Sequence, residues 1–268
     1  MKNRSAPKIY LNHNPNTPFI KDFWIYTPSG EKSDFYNVYP DGYSDIIFKI
    51  AKVQNRLYIS KPRIMGLLTK PKSFSGHGTE IIAGIRITPS SAYHYFDVKE
   101  EANINDISIE FTKGTQSEVS IPVLNNSIES TVLIFLKNFT LKHLYKDKDP
   151  IPINYAIDLI LKKSGNIDIK KLSSQTGYSL RHLERKFQAV IGIDPKKYAS
   201  IVRFRKALYM VKNTNLSLLE IAFSTGYYDH PHLTKEIKNH SFHTPSKIRT
   251  ENVEYLQSLN LDLKLCSG

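Results

Sequence analysis

Residues 172–208, LSSQTGYSLRHLERKFQAVIGIDPKKYASIVRFRKAL, and residues 216–249, LSLLEIAFSTGYYDHPHLTKEIKNHSFHTPSKIR, are two versions of one pattern. Ile167, Ile169, Leu172 and Gly177 recur at Leu216, Leu218, Ile221 and Gly226, an offset of 49. Beyond the glycine the offset becomes 50, pairing Leu183, Phe187 and Pro195 with Leu233, Ile237 and Pro245, so the second copy holds one more residue in its turn. Apolar positions that survive such a slip are the ones that would build the same small helical core twice.

Each copy reads as two helices joined by a glycine turn. Asp168 is placed to N-cap a short helix carrying Ile169 and Leu172, and Gly177 supplies the positive-φ residue that stops it cheaply. Ser179 then caps a second helix with Leu180, Leu183 and Phe187 on one side, while Arg181, His182, Arg185 and Lys186 project elsewhere. In the second copy Ser217 caps residues 218–224, Gly226 ends them, and Asp229 caps a helix bearing His230, His232, Thr234, Lys235 and Lys238. Pro231 falls in its first turn, where a missing amide donor costs nothing. One such helix pair is common as plain structure. Two in tandem, each with a basic second helix, read as a duplicated helix-turn-helix.

Between the copies, residues 196–212 (KKYASIVRFRKALYMVK) have the spacing of one continuous helix, apolar at Tyr198, Ile201, Val202, Leu208 and Met210 and basic at Arg203, Arg205 and Lys206. Such a rod is ~25 Å long. With its flanking turns it suits the ~34 Å between successive major-groove faces of B-DNA, although a purely structural helix of that length would need no such target.

The charge is distributed to match. Residues 151–250 hold 17 basic and 7 acidic residues, a net of +10, whereas residues 1–150 hold 19 and 15, a net of +4. A basic surplus confined to one region implies a polyanion that this region meets, and a nucleic acid or an anionic membrane both fit that field. No continuous apolar stretch near the start resembles a signal peptide, and no run approaches a membrane span, so the expected location is the cytoplasm, at the nucleoid, with no membrane partner. Cys266 is the single cysteine, which rules out an intrachain disulfide and a multi-cysteine zinc site. The histidines at 230, 232, 240 and 243 match no familiar tetrahedral spacing, so neither metal nor cofactor is expected.

Upstream the pattern is β. Residues 45–53 (DIIFKIAKV), 56–59, 81–88 (IIAGIRIT) and 104–111 (INDISIEF) are short and rich in Ile, Val, Phe and Tyr, with turn formers at Pro40-Asp41-Gly42, Gly76-His77-Gly78 and Pro89-Ser90-Ser91. From Asn126 the spacing turns helical through Ile128, Val132, Phe135, Leu136 and Phe139, a stripe that packs on the β region or pairs two chains. Lys146 to Pro152 (KDKDPIP) breaks it. The fold class is therefore α+β: a β-rich domain, barrel or sandwich-like, over 1–122; a connecting helix and linker over 123–150; an all-α domain with two helix-turn-helix units joined by a linker helix over 151–250; and a tail over 251–268.

On these motifs residues 153–249 resemble the DNA-binding domain of the AraC/XylS family. The segments GYYDHPHL, YPDGYSDIIF and GIRITPSSA resemble a subgroup of that family. The resemblance implies a sequence-specific DNA-binding transcription regulator of double-stranded DNA, an activator by precedent, with RNA polymerase as a further partner. By motif position it implies base contacts from Arg181, His182, Glu184 and Arg185 in the first unit and from His230, Thr234 and Lys235 in the second. Ser179, Lys186, Arg203, Lys238 and Arg249 are the phosphate contacts on the same reading. One departure stands out. Gly192 lies three residues before Pro195, but Phe242 lies three before Pro245, so the second C-terminal turn is expected to differ.

For the first domain two readings stay open: a small-molecule effector pocket lined by Tyr43, Tyr58, Tyr93 and Tyr95, or a homodimer or other protein-interaction module without ligand. Some relatives join this DNA-binding domain to a methyl-accepting repair domain. That chemistry needs a reactive N-terminal cysteine, and none precedes Cys266, so no enzyme is expected. The alternative to a specific regulator is a non-specific nucleoid- or RNA-binding protein.

Overall fold

The computed structural model describes residues 7–15, 17–28, 34–76, 79–96, 105–110, 118–144 and 153–250. In chain order the strands are β1 (Lys8–Leu11), β2 (Ile20–Tyr26), β3 (Asp34–Val38), β4 (Ser44–Val53), β5 (Arg56–Ile59), β6 (Arg63–Met65), β7 (Lys72–Gly76), β8 (Ile81–Ile87), β9 (Ser108–Glu110) and β10 (Val119–Pro122). Eight of these described strands make one antiparallel sheet in the order β1-β2-β8-β4-β5-β10, with β6 paired to β4 and β9 to β6, while β3 and β7 form a separate ribbon. Of the turns and strand ends expected above, His77, Gly78, Ile104 and Phe111 lie outside the described residues, as do the linker at 146–152 and the tail with Cys266.

The alternation in β4 does what period-2 patterning requires. Ile46, Phe48 and Ile50 enter the core while Lys49 and Ala51 face out. At the centre of the sheet, β8 is buried on both faces along its whole length, which is why IIAGIRI reads as a continuous apolar run rather than an alternating one. Pro89-Ser90-Ser91, expected as a turn, instead opens helix α1 (Pro89–Phe96). Proline is tolerated in a first helical turn because the amide it lacks would have no intrahelical partner there.

Helix α2 (Ile128–Phe139) is capped by Ser127, whose side chain accepts from the Ser130 amide. It belongs to the first domain's core rather than standing as a connector. Val132, Leu136 and Phe139 join the cluster built on Ile46, Phe48 and Ile85, and Phe48 meets Phe135 and Phe139 edge-on at 5.2 and 5.0 Å. Glu129 binds Lys8 and Tyr10, tying the helix to β1. The apolar stripe is thereby consumed by packing, with Ile134 and Leu141 left exposed.

The outer face of the sheet carries a buried charge row. Asp22 of β2 and Asp45 of β4 both pair across β8 with Arg86, and Asp41, from the turn before β4, closes on the same guanidinium. The three carboxylates stand 3.7, 3.6 and 3.6 Å from it. Burial opposes the Arg86 charge, but Asp22, Asp41 and Asp45 around it hold the guanidinium protonated. Burial also drives the Asp45 carboxyl up to about 6, against the pull of Arg86 and with the push of Asp41 and Asp22, while the Trp24 indole donates to it at 2.8 Å.

The helical half consists of α3 (Ile153–Lys162), α4 (Ile169–Gln175), α5 (Leu180–Ile191), α6 (Pro195–Asn213), α7 (Leu218–Thr225), α8 (His230–Ser241) and α9 (Pro245–Thr250). It has two cores. Leu172, Leu183 and Phe187 cluster with Tyr198, Ile201 and Val202, and Ile221, Leu233 and Ile237 cluster with Phe204, Leu208 and Val211.

Because folding lifts the Asp45 pKa, the folded chain keeps a proton that the unfolded chain releases between pH 4 and 6, so stability falls as pH rises through that window. Asp45→Asn removes this loss while keeping an acceptor for Trp24. The variant should therefore gain on the wild type by up to ~3 kcal/mol between pH 4 and pH 7. Urea unfolding at four pH values measures the difference, and a flat difference would contradict the assignment.

Candidate nucleic-acid interface

The two helix-turn-helix units form for local reasons that can be followed residue by residue. Asp168 Oδ1 accepts from the Lys171 amide at 2.9 Å and starts α4. Gly177, at φ +71°, turns the chain out of it. Ser179 Oγ accepts from the His182 amide at 3.3 Å and starts α5. In the second unit Ser217 and Glu220 make a reciprocal capping box at the start of α7, with amide contacts of 3.2 and 2.7 Å. Gly226, at φ +77°, ends it, and Asp229 Oδ1 accepts from the His232 amide at 2.7 Å to start α8. Each cap satisfies an amide that a helix start leaves without a partner.

The turn after α8 keeps the left-handed conformation of its counterpart, φ +60° at Phe242 against +77° at Gly192, but closes differently. The Phe242 amide bonds the Lys238 carbonyl at 2.9 Å and the Ser241 hydroxyl accepts from the His243 amide at 3.1 Å, whereas the Gly192 amide is shared between the Phe187 and Gln188 carbonyls at 3.1 and 3.2 Å. The backbone path of the repeat is kept, and the side chain bears the strain of a region that favours glycine.

On α5 the inner face is locked by Leu183 and Phe187, both fully buried, and Arg181, Glu184, Arg185 and Lys186 are exposed. His182 is half-buried, its ring 4.7 Å from that of Tyr178. On α8 Leu233 and Ile237 face inward while His230, Lys235 and Lys238 are exposed. Thr234 behaves differently, because its hydroxyl oxygen is buried. Arg203 and Arg249 are likewise engaged with the protein. Arg203 Nη1 donates to the Gly226 carbonyl at 3.2 Å and its guanidinium lies 5.4 Å from the centre of the Tyr227 ring. Arg249 Nε donates to the Val211 carbonyl at 3.2 Å, and its Nη2 binds the Leu216 carbonyl. The tyrosines fare unevenly. Tyr43 is buried with Arg205 stacked 5.1 Å from its ring centre, Tyr58 is exposed on β5, and the side chains of Tyr93 and Tyr95 lie outside the described residues.

Polar contacts that pattern reading missed hold the units together. Ser200 of α6 donates to Glu236 of α8 at 2.7 Å and lies 3.4 Å from His240 Nε2. The His240 ring packs 5.0 Å from Phe204, and burial lowers its pKa. A Cβ on Gly226 would sit 2.5 Å from the Asn166 side chain, so a loop of the first unit is pressed against the turn of the second. The only advance signal was the polar residues at 200 and 236 on otherwise apolar or basic faces.

Two capped helix-turn-helix units on one shared helix, each presenting a basic second helix, define a DNA-binding protein of the double helix-turn-helix class. The profile of a helix-turn-helix domain family matches residues 172–251, and that of a domain of unknown function (DUF6597) matches residues 10–108. The chain is 23% identical over 146 residues to the Msm operon regulatory protein of Streptococcus mutans, covering 53% of this chain and 52% of the relative. It is 23% identical over 157 residues to the HTH-type transcriptional regulator MtrA of Neisseria gonorrhoeae, covering 55% and 51%. A solved AraC-type transcriptional regulator from Chromobacterium violaceum is similar over 37% of this chain and 88% of its own, at 26% identity and a TM-score of 0.35. The chain thus spans about half the length of the curated relatives it matches. Residues 172–251 thus carry a helix-turn-helix domain, shared with the regulatory proteins that the chain matches.

If the left-handed turn is strained at Phe242, Phe242→Gly should stabilise the chain by ~1 kcal/mol, since the exposed ring contributes little packing. Gly192→Ala should cost a similar amount. Denaturant midpoints of the two variants measure this, and a Phe242→Gly variant less stable than wild type would remove the argument.

Proposed function

We propose that the chain is a sequence-specific DNA-binding transcription regulator that lays α5 and α8 in successive major grooves of one duplex. The observation that carries this is the pair Arg181 and Arg185, one helical turn apart on the exposed side of a capped helix whose other side is locked into a core. An arginine can donate two hydrogen bonds to the O6 and N7 of guanine, worth ~1–3 kcal/mol of discrimination. Glu184 beside them accepts from cytosine N4 or orients Arg185.

The second unit is the weaker reader. His230 and Lys235 are exposed on α8, Pro231 offers only apolar contact, and the buried Thr234 hydroxyl is withdrawn from a groove. Ser179, Lys186 and Lys238 are assigned to phosphates, which fix register and make binding salt dependent. Arg203 and Arg249, being held by backbone carbonyls, are assigned to joining helices instead. Among the curated relatives is the transcriptional activator RhaS of Klebsiella pneumoniae, and activation through RNA polymerase is the direction we assign to this chain. Control enters through the first domain, by a small effector or by pairing of two chains.

Selection from random duplexes should yield an asymmetric site of about two helical turns. Recovery of no motif would mean a non-specific binder. Arg185→Ala should relax preference at one base step by ~1–3 kcal/mol, whereas Lys238→Ala should weaken all sequences alike and lower the salt slope by about one. Titrations of matched and mismatched duplexes at three salt concentrations separate the two, and the opposite pattern would reverse the roles.

A further inference from the structure

Among the described residues, each reading unit contains one buried core side chain that its own sequence does not supply. Leu67, 1% exposed, sits in the first unit's core with Leu172, Leu183 and Phe187. Tyr39, also 1% exposed, sits in the second unit's core with Ile221, Leu233 and Ile237. Both come from the β domain, and both are rigidly mounted there.

Leu67 follows β6. Its carbonyl accepts from the Asp106 amide at 3.0 Å, and the Asp106 carboxylate in turn accepts from the Thr69 amide and hydroxyl at 2.6 and 2.5 Å. Tyr39 begins the turn whose Asp41 carboxylate closes on Arg86 and accepts from the Tyr43 amide at 3.0 Å. The same turn is bonded to α6: Tyr198 donates to the Gly42 carbonyl at 2.8 Å and Arg205 to the Asp41 carbonyl at 3.3 Å. A Cβ on Gly42 would lie 2.9 Å from Val202 Cγ2, so the approach to the helix requires glycine, at φ +89°. The buried charge row of the sheet is therefore connected through one turn to the helix that both units share.

We infer that the β domain acts as a two-pronged scaffold in which Leu67 positions the first reading helix and Tyr39 positions the second. Units this small bury too little apolar surface to be insensitive to one lost side chain. Removing either side chain opens a cavity in the core of one unit only, the core that seats α5 through Leu183 and Phe187 or the core that seats α8 through Leu233 and Ile237. A change in the β domain can thus reach the two reading helices by separate routes. That these helices read DNA rests on the function proposed above; the mounting itself does not.

The test is a crossover in the full-length chain. Amide hydrogen exchange in Tyr39→Ala should quicken at α8 by ~10-fold or more with α5 within about twofold of wild type, and Leu67→Ala should do the converse. Tyr39→Phe should restore protection. Footprinting on the selected duplex should lose the half-site of α8 first in Tyr39→Ala and that of α5 first in Leu67→Ala. Should either alanine variant not fold, Tyr39→Leu and Leu67→Val should show the same crossover at smaller amplitude. Equal loosening of both helices in each variant, or none, overturns the inference. A crossover in exchange with no sequence preference in the wild type would leave the scaffold standing and refute the reading of DNA.

Discussion

Helix α6 must serve two hydrophobic cores at once, and the rest of the helical domain is arranged around that demand. Its N-terminal half gives Tyr198, Ile201 and Val202 to the first unit, and its C-terminal half gives Phe204, Leu208 and Val211 to the second. A helix that is apolar around much of its circumference has to be covered on several sides. The two units cover part of it, and the Tyr39–Tyr43 turn covers more, through Gly42 against Val202. With both cores built on one rod, ~28 Å long for its 19 residues, the reading helices are held at a separation neither unit could set alone.

The polar groups follow from this packing. Arg203 lies where the two units meet, so its guanidinium is taken up by the Gly226 carbonyl and the Tyr227 ring rather than by solvent. Ser200, Glu236 and His240 form a small cluster between α6 and α8, where burial keeps the imidazole neutral more readily than in water. On the other side of the domain junction, Arg86 is buried beneath the turn that touches α6. Breaking a buried ion pair leaves an uncompensated charge, which is why a turn anchored on Arg86 is a firm mount for Tyr39.

The helical half was largely legible in the amino-acid pattern because its rules are local. Caps at Asp168, Ser179, Ser217 and Asp229, turns at Gly177 and Gly226, and the 49- and 50-residue offsets each depend on a few neighbouring residues. The β half was legible only in its strongest strands. β4, β5 and β8 stand out by alternation or apolar runs, whereas β1, β6 and β7 are short and take their identity from partners far along the chain. Pro89 misled for a related reason, since proline marks a turn and a helix start equally well. At Phe242 the residue type gives no sign of a left-handed turn, so only the backbone geometry shows that the conformation at Gly192 recurs there.

The order of residues by itself determined where helices begin and end, which faces are apolar, and that one basic motif occurs twice, because these depend on hydrogen-bonding reach and periodicity within a few turns of chain. Only the tertiary structure decided which cations remain exposed. Arg181 and Arg203 are the same residue type on neighbouring helices, yet one faces out and the other is held across a junction between units. Nor could a reading of either half alone show that Tyr39 and Leu67 complete cores of the other half, because burial is a property of the folded assembly and not of local sequence.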